Sequence, residues 1–369
     1  MTALLSRGLA WLLDDYRASH GLAIMRIVFG GMTVLILALY APYLSYTFGE
    51  GAAWSGPLST TSSVNDYPWP LPFPFDRADS DPVLYAKTAL LAAVAVAYTL
   101  GWRMRIVSPL FVYLWLGFST LNPVVTNSGH YQTFRIMLIF LLFADLSRRW
   151  SLDARRRARR GEDAPVSPAL RIRGLQLWPL PRWAPHLFNN TAVMLIAFQV
   201  FAIYISSALW KLQGSTWVVG VAVYYPLRLD ELTLVPWLNE LVWQMTPVVY
   251  LASWASVYLQ LLFPLLLLNR WTRIIALIGI TGMHAGIGVL LALPFFSLVM
   301  IASDMIFIRE SSWVKVQEWL GARWRRLTRR AAPDAEDAPP NVGDAPPDAA
   351  DATTRAPGAP PRERVPAEA

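Results

Sequence analysis

Residues 190–214 read NTAVMLIAFQVFAIYISSALWKLQG. From Thr191 to Trp210 the stretch contains no Asp, Glu, Lys or Arg, and the run then closes on Lys211. About twenty such residues wound into a helix span the ~30 Å hydrocarbon core of a bilayer. A membrane reading is therefore the first expectation, and the rest of the chain supports it. Of 369 residues, 55% are hydrophobic and 15% charged, with 17 tryptophans; a soluble domain carries about 25% charged residues. The charges are clumped, leaving long apolar runs between them. The net charge of +7 comes from arginines flanking those runs, not from basic residues interleaved with aromatics on a soluble face, so nucleic acid is excluded as a partner. With no cysteine, disulfides, thiolate metal sites and thiol catalysis are also excluded.

Eight apolar spans are expected, at about 22–44, 84–101, 106–122, 132–147, 190–209, 247–268, 272–290 and 293–308. They define an all-α, polytopic membrane helical bundle of about eight transmembrane helices over residues 21–310. Residues 1–20 mix Leu4, Leu5, Leu9 and Trp11 with Arg7, Asp14, Asp15 and Arg17, which predicts an interfacial helix, and the first span is too long for the apolar core of a cleaved signal. Segment 148–188 holds ten arginines against three acidic residues. The turns at Arg103/Arg105 and Arg270/Arg273 and a juxtamembrane segment at 311–330 are also basic. The alternate loops are acidic or uncharged, with Lys87 as the exception on that side. By the positive-inside rule both termini are cytoplasmic, in a multi-pass plasma-membrane protein whose loops 45–82, 121–131 and 210–246 face outward. Tyr67 to Phe75, YPWPLPFPF, predicts an extended polyproline-like stretch. Segment 210–246, with Trp217, Tyr224, Tyr225, Trp237 and Trp243, predicts a partly embedded outer cap. Residues 331–369 hold nine prolines and eight acidic residues, the composition of a disordered tail.

Ionisable groups inside apolar spans are costly and so mark either function or structural pairing. Six stand out: Arg26, His130, Arg135, Lys211, His284 and Asp304. On a helix Val200, Tyr204, Ser207 and Lys211 share one stripe, which sets two hydroxyls beside the amine. Two readings of Lys211 stand. Either it snorkels to water from a helix end, or it sits in an apolar pocket as a general base. His284 lies in GMHAGIG, where Gly282 and Gly286 predict a close helix approach; it is either a packing residue or a site residue. His130, in NSGHYQ, is either a loop histidine or a site residue. Arg135 either anchors an anion or ties down the loop, while Arg26 and Asp304 are expected to neutralise partners in the bundle, each other or further groups. The histidines at 20, 130, 186 and 284 fall on different sides of the membrane, so no metal is expected. No phosphate loop, dinucleotide fingerprint, HExxH or GxSxG occurs.

The stretch FQVFAIYISSALWKLQGSTWVVGVAVYYPL at 198–227 resembles the lysine-bearing segment of vitamin K-dependent γ-glutamyl carboxylase and its bacterial relatives. These share the horizontally transferred transmembrane (HTTM) domain. NSGHYQTFRIMLIFLLFADL at 127–146, RRWSLDARRRARR at 148–160 and HAGIGVLLALPFFSLVMIASDMIF at 284–307 fit in the same order. The resemblance covers roughly residues 20–310. It implies an outward-facing pocket where Lys211 deprotonates a reduced quinone (vitamin K or menaquinone). Oxygenation of that quinol then yields a base strong enough to remove a glutamate γ-proton, and carbon dioxide adds to the carbanion. His130 and His284 match family histidines, the first linked to carboxylation, and Arg135, Tyr204 and Ser207 would line the substrate. The carboxylase continues after its membrane part into an outward soluble domain that binds the substrate propeptide. No counterpart to that domain is expected after the eighth span here, so the alternative is a membrane protein that binds a lipid or quinone, or supports a partner's export or assembly, without catalysis.

Overall fold

The computed structural model describes residues 2–61, 73–161, 171–172, 175–176, 181 and 183–330. The tail expected at 331–369, and residues 67–72 of the proline-rich stretch, lie outside the described residues. Helix α1 (Thr2–Leu13) is followed by α2 (Ser19–Tyr40), which runs through a 3₁₀ turn into the short α3 (Leu44–Phe48). Next come α4 (Asp81–Leu100), α5 (Met104–Thr120), the single turn α6 (Pro123–Thr126), α7 (Gly129–Leu141) and α8 (Leu152–Arg159). After a two-residue antiparallel pairing of Arg171–Ile172 with Leu175–Gln176 comes the long α9 (Ala184–Leu212). The remainder is α10 (Ser215–Val218), three 3₁₀ turns, α11 (Pro236–Gln244), α12 (Thr246–Leu266), α13 (Arg270–Leu290), α14 (Pro294–Asp304) and α15 (Glu310–Arg330).

Among the described residues, five helices are long and apolar enough to cross a bilayer: Ser19–Phe48, Asp81–Leu100, Ala184–Leu212, Thr246–Leu266 and Arg270–Leu290. The other three expected spans are shorter. Met104–Thr120 and Pro294–Phe307 remain apolar, whereas α7 is 13 residues, about 20 Å of rise. Hydropathy carries that span to 147, but the helix stops at Leu141 because local polar groups offer the chain a turn. Both the amide and the hydroxyl of Ser147 donate to Asp145 Oδ1, at 3.0 and 2.7 Å, and the Asp145 amide donates to Asn189 Oδ1 at 3.1 Å.

α2 is the hub, packed between α4 and α14, while α9 lies along α12, and α13 folds back onto α14. One continuous core holds Phe29, Phe111, Trp115, Phe118, Phe134 and Tyr204, all essentially buried. At Gly21 the backbone of α2 comes so near Ile306 that an added Cβ would stand 2.7 Å from its Cα. Only glycine fits there. His20, beside it, joins Glu310 at the start of α15 and packs against the rings of Trp150 and Trp313.

α1 ends where side chains of α9 take its carbonyls. Asn190 Nδ2 donates to Trp11, Leu12 and Asp15 oxygens at 3.1, 3.0 and 2.7 Å, and the His186 ring pairs with Leu13 O at 2.7 Å. Free carbonyls at a helix end need such partners. The segment expected as an outer cap is built of short helical turns. Its buried Asn239 donates to Leu227 O at 3.1 Å and to Leu290 O at 2.8 Å, fastening it to the end of α13. The chain divides into two units, Met1–Val316 and Gln317–Ala369. In the second, the described residues continue α15, with the Arg323 guanidinium 5.5 Å from the Trp319 ring.

Candidate functional site

The α9 stripe forms as its spacing predicts. Val200, Tyr204 and Ala208 are buried, with Ser207 and Lys211 half-buried. On α12 the buried face carries Ser253, Ser256 and Gln260 between Val249 and Phe263. Position 260 thus faces α9, and Lys211 Nζ donates to Gln260 Oε1 at 2.6 Å. Gln260 stands about 21 Å along α12 from Thr246. The ammonium also lies 5.0 Å from the Trp217 ring, within cation–π range. Among the described residues no carboxylate pairs with Lys211.

Two turns back along α9, Tyr204, His284 and Asp304 form a chain of side chains from three helices. The Tyr204 hydroxyl donates to Asp304 Oδ2 at 2.7 Å and shares a 3.1 Å hydrogen bond with His284 Nε2. All three residues are at most 1% exposed. Phe263 stands edge-on to the tyrosine ring at 5.1 Å and Phe296 edge-on to the histidine at 5.5 Å, so apolar rings wall the chain on both sides. Two buried atoms of the chain, His284 Nδ1 and Asp304 Oδ1, have no hydrogen-bond partner. Ser207 joins none of these bonds.

His284 reaches this position through a different face than its glycines suggest. The buried residues of α13 are Ala276, Ile280, His284 and Gly288, spaced four apart, and it is Gly288 that admits Ser297 of α14 at 3.1 Å. Gly282 and Gly286 fall on the far side of the helix, and no described atom lies within 4 Å of a Cβ placed there. The close approach expected of that pair is therefore made elsewhere. Nor do Arg26 and Asp304 neutralise each other. Arg26 Nη2 donates instead to Trp150 O at 2.7 Å.

His130 and Arg135 lie apart from the chain. The imidazole bonds Ser128 Oγ at 2.9 Å and Arg135 Nη2 donates to Asn127 Oδ1 at 3.4 Å, so both brace the 127–130 turn. His130 lines a separate pocket of about 550 Å³ with Tyr40, Tyr43, Tyr46, Tyr131 and Phe295. Neither Lys211 nor His284 borders it. The two regions adjoin at α14, where Phe295 faces the pocket and its neighbour Phe296 covers His284. Among the described residues no three His, Asp or Glu side chains cluster as a metal site requires.

Sequence reasoning overlooked Gln260. An uncharged amide amid apolar residues escapes a search restricted to ionisable groups, although Ser253, Ser256 and Gln260 recur at helical spacing and mark one polar face. A model of the HTTM domain matches residues 17–313, a range that contains every residue of both regions. No curated protein and no solved structure matches the chain.

Proposed function

The chain belongs to the HTTM domain family, and from that premise we propose that it acts on a quinol, with Lys211 as the base that accepts the hydroxyl proton. The hydrogen bond from Lys211 to Gln260 carries this reading, because it holds the amine inside the bundle and leaves it without a carboxylate partner. A lysine bonded to an amide oxygen gains or loses a proton without breaking an ion pair. In the step itself the nitrogen lone pair forms a new N–H bond, and the quinol O–H electrons remain on oxygen. Gln260 steers the amine, and the flat Trp217 ring provides a surface for a planar substrate. Tyr204 is occupied by its two partners. The wider expectation is a γ-carboxylase-like enzyme, a carbon–carbon lyase that also epoxidises its quinol.

Purified full-length protein, given reduced menaquinone, oxygen and labelled bicarbonate, is expected to form quinone epoxide or a labelled carboxylated product. Loss of a positioned base costs about 10²–10⁴-fold, so Lys211→Ala should abolish measurable product. Equal product from the variant and the parent overturns the assignment.

One observation favours a second reading, a binding protein without catalysis. The His130 pocket is walled by tyrosines and aliphatic side chains such as Ile36 and Leu39, which suits a lipid or an isoprenoid quinone, and Lys211 takes no part in it. Under this reading His130→Ala weakens menaquinone binding, followed by tryptophan quenching, and no turnover appears in any variant.

A further inference from the structure

We propose that α15 docks on an anionic phospholipid surface, with its apolar stripe in the bilayer interface and its arginines on the phosphate headgroups. No part of this requires Lys211 to act as a base.

The helix, Glu310–Arg330, reads ESSWVKVQEWLGARWRRLTRR. At about 100° per residue, Trp313, Val316, Leu320 and Trp324 fall within an arc of about 80°. Such spacing marks one covered face of a helix. Yet Val316, Leu320 and Trp324 are 46%, 53% and 68% exposed, and Trp319 at the edge of the arc is 58% exposed. The stripe therefore has a covering still to find.

The charges around it say what that covering is. Six basic residues, Lys315, Arg323, Arg325, Arg326, Arg329 and Arg330, share the helix with two acidic ones, Glu310 and Glu318. Glu310 is joined to His20, and Glu318 lies about 160° around the helix from Leu320. Arg323 and Arg326 follow the stripe on its Trp319 side, and the Arg323 guanidinium lies 5.5 Å from the Trp319 ring. Tryptophan and arginine at the rim of an apolar face are the side chains that settle at headgroup level, ring in the interface and charge toward phosphate. An apolar stripe under a basic face is the composition of a helix that lies on anionic lipid.

The start of α15 also stands on the side of the bundle where such lipid is found. The Trp313 and Trp150 rings are 6.0 Å apart, and Trp150 belongs to segment 148–160, which carries seven arginines. Basic segments gather on the side of a membrane protein whose lipid surface is negative. A second copy of α15 fits the stripe poorly, because it would set Arg323 and Arg326 against their own counterparts, and like charges repel.

The chain has no cysteine, so one introduced cysteine takes a spin label at a single place. Full-length protein is labelled on the stripe, at Val316→Cys or Leu320→Cys, and on the opposite face, at Glu318→Cys or Ala322→Cys. Each is placed in nanodiscs of phosphatidylcholine with and without phosphatidylglycerol. Power saturation then compares collisions with oxygen, which concentrates in lipid, and with a water-soluble nickel chelate. In the anionic discs the oxygen-to-nickel ratio at 316 and 320 should exceed that at 318 and 322 by about threefold or more. That contrast should fall by about half or more in phosphatidylcholine alone, and in anionic discs when Arg323→Gln, Arg325→Gln and Arg326→Gln are combined. Val316→Cys leaves Leu320 and Trp324 in place, so the result does not hang on one substitution. All four positions open to nickel, or an equal contrast with and without phosphatidylglycerol, overturns the proposal. So does a stripe closed to both reagents: dipolar broadening between labels then assigns it to a second copy, and its absence to a covering of protein within one chain.

Discussion

Two groups of buried ionisable residues lie in the same bundle and behave in opposite ways. Around Arg26 the charged groups act as fasteners. The guanidinium lies over Gly101, whose positive φ of 68° and missing side chain leave room for Nη1. Its Nη2 meets the carbonyl of Trp150, itself held at φ 48°. A left-handed non-glycine residue costs about 1–2 kcal/mol, which a charge-assisted hydrogen bond of about 1.5–3 kcal/mol offsets. Nearby, Asp153 accepts from the amides of Arg103 and Met104 at 3.0 and 2.9 Å and caps α5. Arginine suits this task because its charge is permanent. Around Tyr204 the groups are lysine, histidine, tyrosine and aspartate from α9, α13 and α14, all of titratable type. An intramembrane charge is thus no mark of function by its type alone. What separates the two regions is that Tyr204, His284 and Asp304 bond one another, whereas Arg26 bonds a fixed backbone dipole.

The largest way to break that contrast is Arg26→Ala. It empties a fully buried site and releases the Trp150 carbonyl, so a loss of about 3–5 kcal/mol is expected, read as a lower thermal midpoint. The fraction that folds should retain quinol turnover, whereas Lys211→Ala should unfold near the parent temperature and turn over nothing. Gly101→Ala attacks the same fastener from the backbone side, through both the left-handed φ and the Arg26 contact. About 1–3 kcal/mol is expected there, again with chemistry preserved in the folded fraction. Tyr204→Phe sharpens the opposite side. It removes one hydroxyl at nearly constant volume, so the midpoint should fall by only about 1–2 kcal/mol. The smallest effect belongs to Gly282→Ala with Gly286→Ala. Open space surrounds both positions and alanine is the better helix former by about 0.8–1 kcal/mol. The pair should leave the thermal midpoint unchanged or slightly raised; a strong loss would show that those glycines do meet another helix.

The periodic parts of this arrangement are readable in the sequence. Apolar run lengths locate five membrane-length helices, and the spacing of Val200, Tyr204, Ser207 and Lys211 fixes one polar stripe before any neighbour is known. The failures concern what one chain's pattern does not encode. That α12 turns Gln260 toward α9, or that Asp304 meets Tyr204 rather than Arg26, depends on which helices are adjacent, and periodicity says nothing of adjacency. The resemblance assigns His130, His284 and Lys211 to one site, yet a shared motif order is not proximity, and His130 lines another pocket. GMHAGIG misleads for a related reason. Two glycine registers run along α13, at 282/286 and at 288, and only the helix facing them selects one.

The caps on α1 set the order in which the molecule is assembled. Asn190 is translated 175 residues after Asp15, whose carbonyl it binds. At about 5–20 residues per second, roughly ten to thirty seconds pass in which the end of α1 has no protein partner for those oxygens. Headgroups and water must serve in the interval, so a nascent α1 keeps that end at the membrane surface. The arrival of α9 then converts a solvated end into a docked one.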